Sequence, residues 1–203
     1  IKAINFARLD NKPFLGLCYG LQLAIIEYAR NVCGMRNANT TEVSKTKFPV
    51  IDILPTQKEL MEKSDYGGTM RLGAYAAVLK EKSKVLELYK DMGRLKEDMK
   101  RIDDIKKDKG QGFRLGILNK NKNIVLERHR HRYEVNPKFV LELEKKGLVF
   151  SGYHLREDNT KLMEYIELPK LKYFISTQSH PEFKSRLGNP SPLFYGFVKA
   201  CSK

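Results

Sequence analysis

The sequence predicts an α/β fold, an open and mostly parallel sheet flanked by helices. Three observations carry that expectation. Short apolar runs suited to buried strands alternate with stretches of helical periodicity. A glycine-flanked cysteine, Cys18, stands where an apolar run gives way to a helical pattern. A His-Pro-Glu segment, residues 180–182, follows the last apolar run, where an open α/β sheet places its functional groups. The 203 residues, 41% hydrophobic, suit one domain with a real core.

Each element follows from local chemistry. Residues 1–9 carry a helical stripe through Ile1, Ile4 and Ala7. Residues 13–17 form a short buried strand. In 20–33, Leu21, Ala24, Ile25, Tyr28, Ala29 and Val32 recur at helical spacing, with Gly34 placed to end the helix. Residues 37–46 are polar and read as a loop, and 50–54 as a strand. Gly67-Gly68-Thr69-Met70-Arg71-Leu72-Gly73 is a turn feeding a strand. After an ordered stretch at 124–135, Asn136 caps a helix with Pro137 at its first position and Gly147 at its end. Strands follow at 148–153, 162–168 and 173–178, the first two suited to an antiparallel pair. Ser191-Pro192 opens a terminal helix through Phe194, Phe197 and Val198.

The stretch 80–122 breaks this pattern. Lys and Asp/Glu dominate it, although Val85, Leu86, Leu88 and Tyr89 suggest a short helix and 92–105 a second one. Residues 110–112 and 119–123 read as linkers, so the stretch is expected to be a Lys-rich, solvated surface insertion. It also holds much of the net charge of +14. No basic stripe interleaved with aromatics accompanies that charge, which argues against a nucleic-acid partner. No run approaches the roughly 18 apolar residues of a membrane span, and no secretory signal is visible. Three cysteines without metal-ligand spacing point to a reducing, cytoplasmic setting. The chain opens at Ile1 and reads as a piece of something longer.

The chemistry concentrates at two segments. Cys18 opens the helix after a strand, so the helix N-terminus is expected to lower its thiol pKa and the Tyr19 amide to stabilise an oxyanion. Gly16 and Gly20 permit a tight turn and a close approach of substrate. In extended chain His180 and Glu182 face one side, with Pro181 keeping the segment from continuing as a helix. Cys18, His180 and Glu182 thus make a Cys-His-Glu triad suited to acyl transfer through a thioester. Cys33 and Cys201 lack such a setting.

Glu127-Arg128-His129-Arg130-His131-Arg132-Tyr133-Glu134 alternates strictly. As a strand it puts three arginines on one face, a candidate carboxylate clamp, and two histidines on the other. A metal site from His129 and His131 lacks a third ligand. Glu42, in the polar loop Asn37-Ala38-Asn39-Thr40-Thr41-Glu42, could bind an ammonium group, although a solvated carboxylate is the commoner case.

With those segments in hand, the chain closely resembles the class I glutamine amidotransferases, whose fold is flavodoxin-like. The Gly-x-Cys-x-Gly-x-Gln around Cys18 and His180-Pro181-Glu182 carry that broad likeness. The strings 24–32, 37–42, 67–73, 127–136 and 181–183 narrow it to the glutaminase domain of the CTP synthase family. The resemblance implies attack of Cys18 on the side-chain amide of L-glutamine, with His180 moving the protons and Glu182 orienting it. It implies that Tyr19, Gln22, Glu42 and Arg132 hold glutamine, Glu42 at its amino group and Arg132 at its carboxylate. Ammonia would pass to a synthase domain of the same polypeptide, where ATP and Mg²⁺ serve conversion of UTP to CTP. GTP would activate, and the homotetramer would form through that second domain. No cofactor, metal, nucleic acid or membrane is implied for this domain.

The same resemblance places the synthase domain, the first strands of the sheet and a glycine-rich oxyanion loop outside this chain, before Ile1. Loss of one oxyanion donor typically costs roughly 10²–10³ in rate, so the isolated segment is expected to be poorly active. The stretch 80–122 is longer than in most members, and Tyr19 stands where many have Leu. The readings that compete are another class I amidotransferase, a γ-glutamyl hydrolase with the same triad, and an assembly or binding module acting through the Lys-rich stretch.

Overall fold

The structure, a computed structural model, describes residues 1–54, 70–119 and 121–202, without the side chain of Lys109. The expected turn at Gly67 to Thr69 lies outside the described residues. Helix α1 (Lys2–Leu9) leads to β1 (Phe14–Leu17), which passes through Cys18 into α2 (Tyr19–Asn31). Strands β2 (Asn39–Thr40) and β3 (Pro49–Asp52) follow, then β4 (Arg71–Leu79). Next come α3 (Lys84–Asp91), α4 (Arg94–Lys107) and a 3-10 turn at Lys109–Arg114. Strands β5 (Ile124–His131) and β6 (Glu134–Val135) precede α5 (Pro137–Lys145). Strands β7 (Val149–Leu155), β8 (Lys161–Glu167) and β9 (Phe174–Thr177) lead to α6 (Pro192–Cys201).

Local signals explain several boundaries. The Asn136 side chain accepts from the Lys138 N–H at 3.1 Å, with Pro137 in the first turn. Gly34 (φ +75°) and Gly147 (φ +105°) end their helices in the left-handed region. Ser191 stands at the N-cap of α6, but its hydroxyl makes no capping bond. The polar stretch 37–46 is not all loop, since β2 pairs with β3 inside it.

Among the described residues six strands form the main sheet in the order β1-β9-β8-β7-β4-β5, and β2-β3-β6 form a second, small sheet. The α/β class holds, but the main sheet is mixed. Within it β1 and β9 run parallel, and β9-β8, β8-β7, β7-β4 and β4-β5 run antiparallel. Parallel neighbours need a long crossover. The short link from β7 to β8 makes a hairpin, as expected for that pair.

The pleat sends alternate residues into different cores. Phe14, Phe150, Ile166 and Phe174 face Leu21, Ile25 and Leu143 of α2 and α5. Leu15, Tyr165 and Ile175 face Val85, Leu86 and Tyr89 of α3 and Leu193 of α6. In-register Phe14 and Phe174 stack at 4.7 Å between ring centroids. On the helical layer, buried Glu27 of α2 ties in α1 by accepting from Asn5 at 2.8 Å and Arg8 at 2.9 Å.

The stretch 80–122 departs from the solvated expectation. Its two helices fall where the apolar residues suggested, but they are packed. Val85, Leu86, Tyr89 and Ile102 are buried, and so are the charged residues Arg94 and Asp98. Ile102 and Leu115 share a third core with Ala76, Val78, Ile124 and Leu126. The 110–112 linker is part of the 3-10 turn. A charged composition averages over both faces of a helix, whereas packing uses one face.

Strands β4 and β5 pair along their length, yet β4 meets β7 only at Val78 and Leu79. The rest of the pair is a two-stranded ribbon whose far end reaches the carboxyl ends of β1 and β9.

Candidate active site

Cys18 has φ 48° and ψ −101° at the junction of β1 and α2. A non-glycine residue at positive φ stores strain, which a nucleophile turn uses to lift its side chain out of the strand. The turn is pinned: the Cys18 N–H donates to the Thr177 carbonyl at 2.8 Å, and its carbonyl accepts from Leu21 at 3.1 Å. Gly16 makes room beneath it, because a Cβ there would stand 2.7 Å from Ser176 Oγ and 2.8 Å from the Gly20 backbone. Gly20 itself has open space at its Cβ position. Its carbonyl is what crowds Gly16.

The thiol differs from the sequence expectation. Burial pushes its pKa up, and hydrogen bonds from the Tyr19 backbone N–H and the Gln178 amide offset this only in part. The Glu134 and Glu182 carboxylates push it up further. These influences favour the thiol form, and a base to take its proton would serve attack. The thiol faces the Arg130 carbonyl at 3.9 Å, and Gln178 Nε2 lies 3.6 Å from Sγ.

His180 and Glu182 meet as expected, with Nδ1 2.6 Å from Glu182 Oε1. The backbone between them is not extended, however: Pro181–Phe183 is a 3-10 turn opening at His180. The His180 N–H donates to the Arg128 carbonyl of the ribbon at 2.8 Å. Among the described residues no hydrogen bond joins Cys18 to His180, but Glu182 acts on the thiol through space. Apo sites often hold such pairs loosely.

The alternation at 127–134 is only partly a clamp. Arg128 and Arg130 share the exposed face of β5 while Glu127, His129 and His131 point inward. Strand β5 ends at His131, so Arg132 lies in the turn that follows rather than on their face. Burial pushes the Tyr133 phenol up, and Glu42 and Arg132 act on it with opposite signs. Glu42 and Arg132, far apart in sequence, thus both act through space on one phenol. Gln22 is buried, and its Nε2 already donates to the Tyr133 carbonyl at 3.0 Å and Gln178 Oε1 at 3.3 Å.

Behind the thiol lies a buried charged network. Arg71 pairs with Glu134 at 3.2 Å and Glu164 at 2.8 Å. His131 meets Glu134 at 2.8 Å, and His129 lies 3.6 Å from Glu164. The two histidines considered as metal ligands are thus engaged by carboxylates. Burial would raise Glu134, but His131 and Arg71 hold it well below the usual carboxylate range. Burial, aided by Arg71, drives His129 well below its ordinary value.

Sequence reading passed over Gln178 and Glu134. Gln178 ends the same apolar run that leads to His180, two residues on. A polar residue there, at the carboxyl end of a strand beside the nucleophile strand, was the available signal. A nucleophilic thiol under an amide N–H, near a carboxylate-held imidazole, is equipped for acyl transfer.

The family described as glutamine amidotransferase class-I matches residues 1–200. The chain belongs to that family. It is 48% identical to a CTP synthase of Methanococcus maripaludis over 98% of this chain, and 43% identical to one of Pyrococcus furiosus over 100%. It spans 31% of the length of each of those relatives. The glutaminase domain of Trypanosoma brucei CTPS, solved with bound acivicin, superposes with a TM-score of 0.76 at 31% identity. That match covers 98% of this chain and 64% of the other.

Proposed function

We propose that this chain hydrolyses L-glutamine to glutamate and ammonia, with Cys18 as nucleophile, His180 as acid and base, and Glu182 as its orienting carboxylate. The observation that carries this is the positive-φ cysteine under the Tyr19 amide, together with the 2.6 Å His180–Glu182 bond. His180 takes the thiol proton as sulfur attacks the amide carbon. The Tyr19 N–H stabilises the oxyanion. His180 then protonates the departing ammonia, leaving a glutamyl thioester. It next accepts a proton from water as the water attacks, and the thioester opens to glutamate and the free thiol. Glu42 holds the substrate ammonium and Arg132 its carboxylate; both act electrostatically on Tyr133. Gln22 has its Nε2 engaged, so any contact with glutamine falls to its carbonyl oxygen.

In the parent polypeptide the ammonia feeds a synthase domain that converts UTP to CTP with ATP and Mg²⁺. GTP activates the glutaminase step, the assembly is a homotetramer, and the setting is cytoplasmic. The relatives named CTP synthase, aligned over 98% and 100% of this chain, support the link to a synthase domain. The test is CTP formation by the full-length parent carrying Cys18→Ala, with glutamine and separately with free ammonia. Loss with glutamine and retention with ammonia is the expected outcome. Retention with both removes Cys18 from the reaction.

A further inference from the structure

We propose that Arg94 and Asp98, on α4, are positioning residues for the segment that carries His180 and Glu182; this rests on the glutaminase reading above. The segment has little burial of its own. The His180 and Glu182 side chains are 23% and 42% exposed, and the turn they occupy is three residues long. Its place must come from anchors on either side.

The upstream anchor is the bond from the His180 N–H to the Arg128 carbonyl on β5, the edge strand of the main sheet. The downstream anchor is Lys184, two residues after Glu182. Lys184 is buried at 8% exposure, and Nζ reaches both oxygens of Asp98, at 2.7 and 3.0 Å, as well as Glu127 at 3.2 Å and the Leu126 carbonyl. Asp98 is fully buried and also accepts from the Leu126 N–H at 2.9 Å. The Asp98–Lys184 pair therefore occupies both backbone groups of Leu126, two residues along the same strand from the carbonyl that holds His180.

Arg94 secures the next part of the segment. It is 3% exposed and donates to the Asn189 carbonyl at 2.7 Å and the Pro190 carbonyl at 3.1 Å. Arg94 and Asp98 are four residues apart, so they share a face of α4. Buried charges are tolerated only when paired. Asp98 finds its partner in Lys184 on the catalytic segment, whereas Arg94 pairs with Glu97 of its own helix at 3.0 Å and spends its other donors on the carbonyls of Asn189 and Pro190. Without Asp98, Lys184 would lose its shortest carboxylate contacts and keep only Glu127 and the Leu126 carbonyl, so the downstream anchor of the imidazole would loosen. Misplacement of a catalytic group by about 1 Å can cost on the order of 10²-fold.

The experiment uses the full-length parent, measuring glutamate release from glutamine and CTP formation from free ammonia. Asp98→Asn and Arg94→Met are expected to lower kcat for glutamine at least tenfold, with KM for glutamine within twofold and the ammonia reaction unchanged. Arg94→Lys, which keeps one charged donor, is expected to fall between. A kcat within twofold of wild type, a change confined to KM, or a parallel fall in the ammonia reaction overturns the inference. Should either variant fail to fold, Asp98→Leu/Lys184→Met removes both buried charges together and is expected to show the same kcat loss. Cys18→Ala is assayed alongside. If wild type releases no glutamate, or Cys18→Ala still does, the glutaminase reading falls and takes this inference with it. If release needs Cys18 but not Asp98 or Arg94, this inference falls alone.

Discussion

Gln178 points its side-chain amide at the Cys18 sulfur from 3.6 Å and accepts from Gln22 at 3.3 Å. Two glutamines, one on α2 and one at the end of β9, thus form a chain that ends on the thiol. A donor at sulfur favours thiolate, and the glutamine pair opposes the burial that favours thiol.

Alkylation of Cys18 by iodoacetamide, followed against pH, should therefore have its midpoint above the ordinary thiol range. In Gln178→Leu the midpoint should move further up. Near neutral pH the rate should fall by up to about tenfold. A wild-type midpoint below the ordinary range, or an unchanged profile in Gln178→Leu, contradicts the account.

Gly16→Ala would drive a methyl into Ser176 Oγ and the Gly20 backbone, at 2.7 and 2.8 Å. The backbone cannot yield without moving the Cys18 turn. A destabilisation of about 1–3 kcal/mol is expected, read from the urea midpoint, together with a slower thiol alkylation. Wild-type stability and reactivity in this variant would show that β1 and the start of α2 are not in close contact.

Acid should destabilise the fold in a defined window. Burial, aided by Arg71, pulls the His154 pKa from 6.5 to about 4, and its Nδ1 lies 2.7 Å from the Ala76 carbonyl. Between those values the unfolded chain binds a proton that the fold excludes, so stability is full above 6.5 and is lost as pH falls toward 4. Buried Glu127, Glu164 and Glu167 are shifted up and act in the opposite sense. His154→Gln, which keeps a donor for Ala76, isolates the histidine. From pH 6.5 to 5 the wild type should lose about 2 kcal/mol more than the variant. Parallel stability curves for the two proteins would refute the assignment.

Arg71→Met leaves Glu134 and Glu164 buried at 0% and 1% side-chain exposure without their shared cation. Breaking such a pair costs roughly 3–5 kcal/mol, and a Tm drop on the order of 10 °C follows for a chain of this size. Arg71→Met/Glu134→Gln, with one fewer charge to strand, should recover part of that loss. A double variant no better than the single would mean that Arg71 contributes through its packing rather than its charge.

The elements legible in the sequence are those set by short-range sterics and hydrogen bonding. Two glycines and a helical stripe mark the passage from β1 through Cys18 into α2, and Asn136 and Pro137 mark the start of α5. The meeting of His180 with Glu182 was also anticipated, although through an extended backbone and not the 3-10 turn that Pro181 opens. The stretch 80–122 reads as solvated in sequence because its few apolar residues are diluted by the lysines and acids around them, although one face of each helix packs.

By itself, then, the sequence determined the turn at Cys18 and the helix ends, since each depends on neighbours within a few positions. Tertiary structure decided which strands run antiparallel, that partial burial pushes the Cys18 thiol up, and that Gln178 and Glu134 act on it. It also decided that Asp98 finds Lys184 and Arg94 finds Asn189, 86 and 95 residues away. Burial and charge pairing depend on what lies across space, and no local pattern records that.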